Sequence, residues 1–267
     1  MKSIRELIDL NGRVAVITGA VGHIGSAFAE AFAELHASVV LLDRNEARLG
    51  TCAQSLRGQY GTETLAFPVD LEDEQKTRQI PRVVLEKFGR IDILVHCAAL
   101  VGTSDLEGWA VPFSEQRSDT WRRALEVNLT AAFILTQAAA PALKESGHGS
   151  VITMGSIYGM VGPDMGLYGG TTLGNPAAYN ASKGGILQLT RYLATVLAPD
   201  IRVNCISPGG VERGQTDPFL SRYIARTPLK RMAKEEDLKG AAVYLASDLS
   251  SYVTGQNIVV DGGWTAW

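Results

Sequence analysis

The fold is decided by Arg13-Val14-Ala15-Val16-Ile17-Thr18-Gly19-Ala20-Val21-Gly22-His23-Ile24-Gly25. Its first five residues are an apolar, β-rich run that Thr18-Gly19 ends. Helical spacing follows from about His23 to His36, and Ser38-Val39-Val40-Leu41-Leu42 is a second β-rich run. Strand, glycine turn, helix and strand in this order form a βαβ unit, whose crossover is right-handed. Glycines in such a turn allow the sharp reversal, the approach of backbone to a pyrophosphate and close helix–strand packing, with phosphate on the helix N-terminus. A glycine-rich turn alone says little, because loops gather glycine for steric reasons. Inside a βαβ unit it marks Gly19, Gly22, His23, Ile24 and Gly25 as the cradle of a dinucleotide.

The alternation continues along the chain. Helical stretches near 45–57 and 72–88 lead to strands Thr64–Val69 and Ile91–Cys97. A long helical region over 115–145 precedes strand Ser150–Met154, and the helix carrying Tyr179 runs to about Ala198. Strand Ile201–Ile206, a helix near 235–246 and strand Asn257–Val260 close the chain. Seven strands alternating with helices predict an α/β fold, a Rossmann-like doubly wound parallel sheet with helices on both faces. No composition break or repeat divides residues 1–267, so one dinucleotide-binding catalytic domain is expected. Leu100–Ser114, Tyr158–Asn175 and Gly210–Leu229 read as loops. Each follows the C-terminal end of a strand, the rim where such sheets bind ligands.

Composition narrows the function classes. Hydrophobic residues are 46% and charged residues 20%, which excludes a disordered or collagen-like chain. A net charge of −3 without a Lys/Arg-rich run points away from nucleic acid and anionic membranes. No leader-type apolar segment and no uncharged run of the ~18 residues that a membrane span needs is present, so a cytoplasmic protein is expected. Cys52, Cys97 and Cys205 are widely spaced and odd in number. They read as small apolar residues rather than a disulfide framework or a metal site.

Tyr179 and Lys183 stand four residues apart and share one face of a helix. An ammonium beside a phenol favours the phenolate, so Lys183 is expected to pull Tyr179 down from its ordinary value of about 10, ready for proton transfer. Ser156, after the run Ser150–Met154, falls at a strand's C-terminal end. Asp43 ends the second strand and suits ribose hydroxyls, or else caps the next helix, while Arg44 beside it suits a phosphate. Asp70 reaches toward an adenine edge or is a plain cap. Asn128 in a helix implies a hydrogen-bonding task, either holding a water or acting as a satisfied core amide. Pro208-Gly209 makes a turn that exposes backbone groups. Trp264 and Trp267 anchor the C-terminus, within the chain or against another subunit.

As a set, Thr18-Gly19…Gly25, Asp70, Asn128, Ser156, Tyr179-Asn180-Ala181-Ser182-Lys183, Pro208-Gly209 and Val260-Asp261-Gly262-Gly263 resemble the short-chain dehydrogenase/reductase family over nearly the whole chain. The resemblance implies Tyr179 as general acid/base and Ser156 as the group holding the carbonyl or hydroxyl oxygen. Lys183 would lower the Tyr179 pKa and bind the nicotinamide ribose, and Asn128 would hold a relay water. Leu71, Ala98, Pro208, Gly209 and Val211 would join the glycine turn, Asp43 and Asp70 around NAD, with NADP as the alternative coenzyme. It also implies a homotetramer or homodimer built on the helices near 115–145 and 176–198.

Three departures stand out. His23 takes a usual glycine position, and His96-Cys97-Ala98-Ala99 replaces the usual Asn-Asn-Ala-Gly. Arg213 stands where a Thr is common. The Ser156–Tyr179 spacing is also enlarged, and Tyr168–Pro176 looks similar to relatives associated with bacterial surface-sugar biosynthesis. With Arg117, Arg213 and Arg222 able to meet an anion, the expected activity is alcohol–ketone interconversion on a sugar or nucleotide sugar. A 3-oxoacyl thioester reductase is the alternative, and an NAD(H)-sensing protein without turnover belongs to a different class.

Overall fold

A computed structural model describes residues 1–267. Its centre is a seven-stranded, fully parallel sheet of β1 (Val14–Thr18), β2 (Ser38–Asp43), β3 (Thr64–Pro68), β4 (Ile93–His96), β5 (Ser150–Met154), β6 (Arg202–Pro208) and β7 (Asn257–Val260). The strand order is β3-β2-β1-β4-β5-β6-β7. The chain reverses direction across the sheet between β1 and β4, so the C-terminal ends of these two strands form the crevice where doubly wound sheets take ligands.

The strands read as continuous apolar runs because helices cover both faces. Ala15, Ile17, Val39, Leu41, Ile93 and Val95 pack with Phe28 and Phe32 of α2 (His23–Glu34) and Leu238 and Leu245 of α9 (Glu236–Ala246). The alternate residues Val14, Val16, Val40, Leu42 and Leu94 face the other way. They meet Ile80 and Val84 of α4 (Glu74–Phe88), Leu135 and Leu143 of α6 (Ala131–Glu145) and Leu193 of α7 (Ala177–Val196). A one-residue slip of any strand would exchange these two sets.

Several elements differ from expectation. A short α1 (Ile4–Ile8) precedes the sheet, closed by a reciprocal cap between Ser3 and Glu6. The helical region over 115–145 is α5 (Ser118–Leu125) and α6 joined by a π turn, Glu126–Thr130, in which the Ala131 N–H reaches back to Glu126. Gly210–Leu229, read as loop, contains the amphipathic α8 (Phe219–Arg226). Between α2 and α4 lies α3 (Glu46–Tyr60). Trp264 is buried within its own chain, edge-on to Tyr158 and stacked on Tyr223, while Trp267 stays exposed. The reading of Trp264 as a subunit contact is therefore replaced by an internal one: its apolar area is already covered.

The crevice depends on keeping β1 and β4 in register at their buried start. Asp92 is fully buried; it accepts the Val14 N–H at 2.9 Å and two Arg90 N–H bonds at 2.8 and 2.6 Å. Asp92→Ala removes the shared acceptor and is expected to cost about 2–4 kcal/mol. The measurement is a lowered urea midpoint at unchanged slope; an unchanged midpoint would show that solvent replaces the carboxylate.

Candidate active site

The β1–α2 turn is shaped by close backbone approach. Gly19 has φ +63°, and a Cβ on it would lie 2.7 Å from the Ala98 backbone; a Cβ on Gly25 would collide with the Gly19 carbonyl. The Thr18 hydroxyl accepts the Ala98 N–H at 3.2 Å, so the ends of β1 and β4 are joined directly. Gly22 begins α2 without any side-chain cap, leaving first-turn N–H groups open toward the cleft. This uncapped helix end fits a pyrophosphate. His23, in the position of a usual glycine, stands at the rim and pairs with Glu235 at 3.2 Å.

A cleft of about 780 Å³ runs from this turn across the sheet. All the expected coenzyme residues line it: Gly19, Gly22, His23, Ile24, Gly25, Asp43, Asp70, Leu71, Ala98, Tyr179, Lys183, Pro208, Gly209 and Val211. Asp43 is not the cap of α3; Asn45 takes that role, and Asp43 accepts the Asn45 N–H at 3.0 Å. Asp70 closes a turn on the Glu72 N–H at 3.0 Å, while Asp73 caps α4. The neighbouring Arg44 makes no hydrogen bond or ion pair within the chain and lines the same end. No group of three or more His, Cys, Asp or Glu side chains is placed to hold a metal ion.

Ser156 and the Tyr179–Lys183 face of α7 meet at the other end. Gly159 makes this possible, since a Cβ there would lie 2.5 Å from the Lys183 carbonyl; only glycine lets the chain after β5 lie against α7. Ser156 is buried, and its hydroxyl accepts the Tyr158 N–H at 3.1 Å. The Lys183 ammonium is buried, 5.7 Å from the Tyr179 ring centre, and donates to the Met154 carbonyl at 2.7 Å. Burial lowers its pKa from 10.5 to about 8. Burial also raises the Tyr179 phenol; the Ser156 hydrogen bond and the Arg213 charge oppose that rise. The expectation that Lys183 draws Tyr179 toward neutrality is corrected accordingly. Desolvation outweighs it, and the cation that favours the phenolate is Arg213.

Asn128 sits in the π turn and does not line the cleft. Its Oδ1 accepts the Leu100 N–H at 2.7 Å, and its Nδ2 donates to the Leu100 carbonyl and the Ser182 hydroxyl, both at 3.0 Å. Arg117 is held by Asp119 and Glu107, and Arg222 donates to the carbonyls of Gly166, Leu167 and Gly169. Neither guanidinium lines the cleft; of the three expected cations only Arg213 does. His96 is a core residue bonded to Thr136, its pKa lowered by burial to about 3.

The enlarged Ser156–Tyr179 segment forms a polar–aromatic wall. Tyr158 and Tyr168 share a hydrogen bond of 2.9 Å, Asn175 donates to Tyr168 at 3.1 Å, and Asn180 bonds to Asn175. Phe219, Tyr223 and Met232 complete this end. These three were absent from the sequence reading. The four-residue spacing of Phe219 and Tyr223 was the available signal for a helix with an apolar face.

A dinucleotide cradle joined to a Ser–Tyr–Lys cluster at the rim of a parallel sheet defines an α/β oxidoreductase. The family described as Enoyl-(Acyl carrier protein) reductase matches residues 19–265. A trans-4-hydroxycyclohexanecarboxylate dehydrogenase from Sinomonas cyclohexanicum is 34% identical over 260 residues, covering 95% of this chain and 93% of that protein. A 3-oxoacyl-(acyl-carrier-protein) reductase from Thermotoga maritima is 32% identical, covering 95% and 98%. The crystal structure of a gluconate 5-dehydrogenase from Burkholderia cenocepacia, in complex with NADP and tartrate, superposes with a TM-score of 0.88 at 29% identity, covering 99% and 100%. The chain belongs to the short-chain dehydrogenase/reductase family and is an enzyme acting on alcohol and ketone groups.

The buried Lys183 ammonium predicts a pH effect. Below pH of about 8 folded and unfolded chains both carry the charge, and folding bears its full burial cost. Between about 8 and 10.5 the unfolded chain holds a proton that the folded chain has released, so stability rises with pH across that window. Relative to Lys183→Met, the wild type should gain up to about 3 kcal/mol between the two ends of the window. Urea unfolding at both ends measures it, and a constant difference would mean that the ammonium is hydrated.

Proposed function

We propose that the protein is an NAD(P)(H)-dependent oxidoreductase that interconverts a secondary alcohol and a ketone on a polyhydroxylated substrate. The carrying observation is that Ser156, Tyr179 and Lys183 come together in the cleft that also holds the glycine cradle. When bound, the nicotinamide supplies or accepts the hydride. The Tyr179 hydroxyl passes the proton to or from the substrate oxygen, and the Ser156 hydroxyl holds that oxygen in place. In this reading the Lys183 ammonium, anchored on Met154, would bind the nicotinamide ribose. Val211 offers its backbone to the carboxamide. Both Asn128 N–H groups are already engaged, so any relay water at this residue must donate to an oxygen.

Both coenzymes find a partner at the end of β2. Asp43 keeps a carboxylate oxygen for ribose hydroxyls, and the free Arg44 suits a 2′-phosphate. Arg44→Ala should weaken NADPH about tenfold or more, the worth of a charge-assisted contact, with NADH far less affected. Fluorescence titration of both coenzymes checks this; equal losses would remove Arg44 from phosphate recognition.

The hydroxyl and amide wall of Tyr158, Tyr168 and Asn175 supports a polyol or sugar. The relative from T. maritima favours a second reading, reduction of a 3-oxoacyl thioester. A panel of sugars, sugar acids, nucleotide sugars and acetoacetyl thioesters, followed at the NADPH absorbance, separates them. Exposed Trp121, Phe133, Tyr192 and Val196 on α5, α6 and α7 support a homodimer or homotetramer through these helices.

Tyr179→Phe keeps the ring and deletes the proton-transferring oxygen. It should lower kcat by at least about 100-fold, the usual scale of general acid–base catalysis, with NADPH affinity retained. Turnover at the wild-type rate would refute the assignment of Tyr179.

A further inference from the structure

Three cations and one histidine line the cleft, and all but Arg213 are committed or lie far along it. Lys183 is fixed to the Met154 carbonyl, His23 to Glu235, and Arg44 stands at the β2 end. Arg213, near enough to Tyr179 for its charge to favour the phenolate, has no hydrogen bond or ion pair from its guanidinium. Glu235, the acid whose charge acts on it, is paired with His23.

The backbone of the loop that carries Arg213 is braced by hydrogen bonds. Val211 bridges to Ala233, and the Glu212 N–H donates to the Ala233 carbonyl at 2.8 Å. The Arg213 N–H donates to the Gln215 side chain at 2.6 Å, and Gln215 donates back to the Val211 carbonyl at 3.0 Å. A braced loop that presents an unpaired guanidinium is a preorganised anion site, since little freedom is lost when an anion arrives.

Resting on the oxidoreductase reading above, we infer that Arg213 is the specificity-determining residue of the substrate end, and that it takes the carboxylate of a hydroxy acid or oxo acid whose alcohol or ketone carbon is presented to Tyr179. The single guanidinium matches the single charge and the two coplanar oxygens of a carboxylate. A phosphate dianion would leave a charge unanswered, because neither Arg117 nor Arg222 lines the cleft. The Tyr158–Tyr168–Asn175 wall then meets the remaining hydroxyls of the chain between the two groups.

The test uses pairs of alcohols that differ in the anion: gluconate against glucitol, and 4-hydroxycyclohexanecarboxylate against its methyl ester. Initial rates with both coenzymes are compared for the wild type, Arg213→Gln and Arg213→Lys. The wild type should favour the acid in a pair through KM. Arg213→Gln should reduce that acid-over-neutral ratio by about 10- to 100-fold, the factor of a charge-assisted hydrogen bond, and Arg213→Lys should restore part of it. Any influence of Arg213 through the Tyr179 phenol acts on kcat, whereas loss of the carboxylate contact is read in the KM of the acid alone, so the ratio is taken in KM. An unchanged ratio, an equal loss for acid and neutral alcohol, or a matching loss of coenzyme affinity overturns the inference, as does a preference for gluconate 6-phosphate that Arg213→Gln abolishes while gluconate is unaffected.

Failure of the oxidoreductase reading is seen separately, as no turnover with any alcohol or ketone. In that event calorimetric titration of the NADPH-bound protein with the two acids decides. Binding at least tenfold weaker in Arg213→Gln upholds the carboxylate site, while equal binding or none overturns it.

Discussion

One buried amide holds the reactive geometry together. Asn128 grips both the N–H and the carbonyl of Leu100, just beyond β4, and donates to Ser182, the residue before Lys183. Ser182 in turn donates to the Tyr179 carbonyl at 2.8 Å. Three separate pieces of chain, the β4 rim, the π turn and the first turns of α7, therefore share one saturated network. In a low-dielectric interior such a network is rigid because each partner lost would leave a buried polar group unpaired. The π turn is what brings the amide there. An uninterrupted helix through Glu126–Thr130 would rotate later residues by part of a turn, and α5 and α6 could not both keep their present faces inward.

The cleft divides into two ends built by different means. At the glycine-turn end backbone packs on backbone, and Gly19 and Gly25 are fixed by contacts that leave no room for a Cβ. At the substrate end side chains hold side chains. Arg222 of α8 ties three carbonyls of the Tyr158–Asn175 segment, Arg226 pairs with Asp164, and Trp264 lies between Arg226 and the tyrosines. The first construction tolerates almost no change of residue. The second can be rebuilt one side chain at a time, which is how a common frame comes to serve different substrates.

What the sequence made legible follows the same division. Strands buried on both faces announce themselves as apolar runs, and the βαβ turn and the Tyr179–Lys183 spacing are local patterns, so the sheet was legible and the residues expected around the coenzyme line one cleft. The Ser3–Glu6 capping box and the Phe219–Tyr223 spacing were equally local and were overlooked beside stronger neighbouring signals. Other features lay outside any local pattern. Nothing near Arg117, Arg213 or Arg222 in the chain tells which guanidinium finds a carboxylate or carbonyl, because the partners of Arg222 lie 53 to 56 residues away. The Tyr179 phenol was misjudged for a related reason. Four-residue spacing fixes which face Lys183 shares, but not that its ammonium is drawn to Met154 or that burial raises the phenol.

These electrostatics link binding to proton transfer. With the cleft open, the Arg213 charge works against the burial that raises the Tyr179 phenol. A carboxylate seated on Arg213 neutralises that charge and also excludes water, and both changes favour the protonated phenol. The protonated form is the one able to give its hydrogen to a carbonyl oxygen. For the reverse reaction the phenolate must form, and only Ser156 and a repositioned Lys183 remain to support it. On the proposed roles, an anionic substrate would bias the site toward reduction as long as the Lys183 ammonium stays on the Met154 carbonyl. The same guanidinium that selects the acid would in that case set the direction in which the enzyme works best.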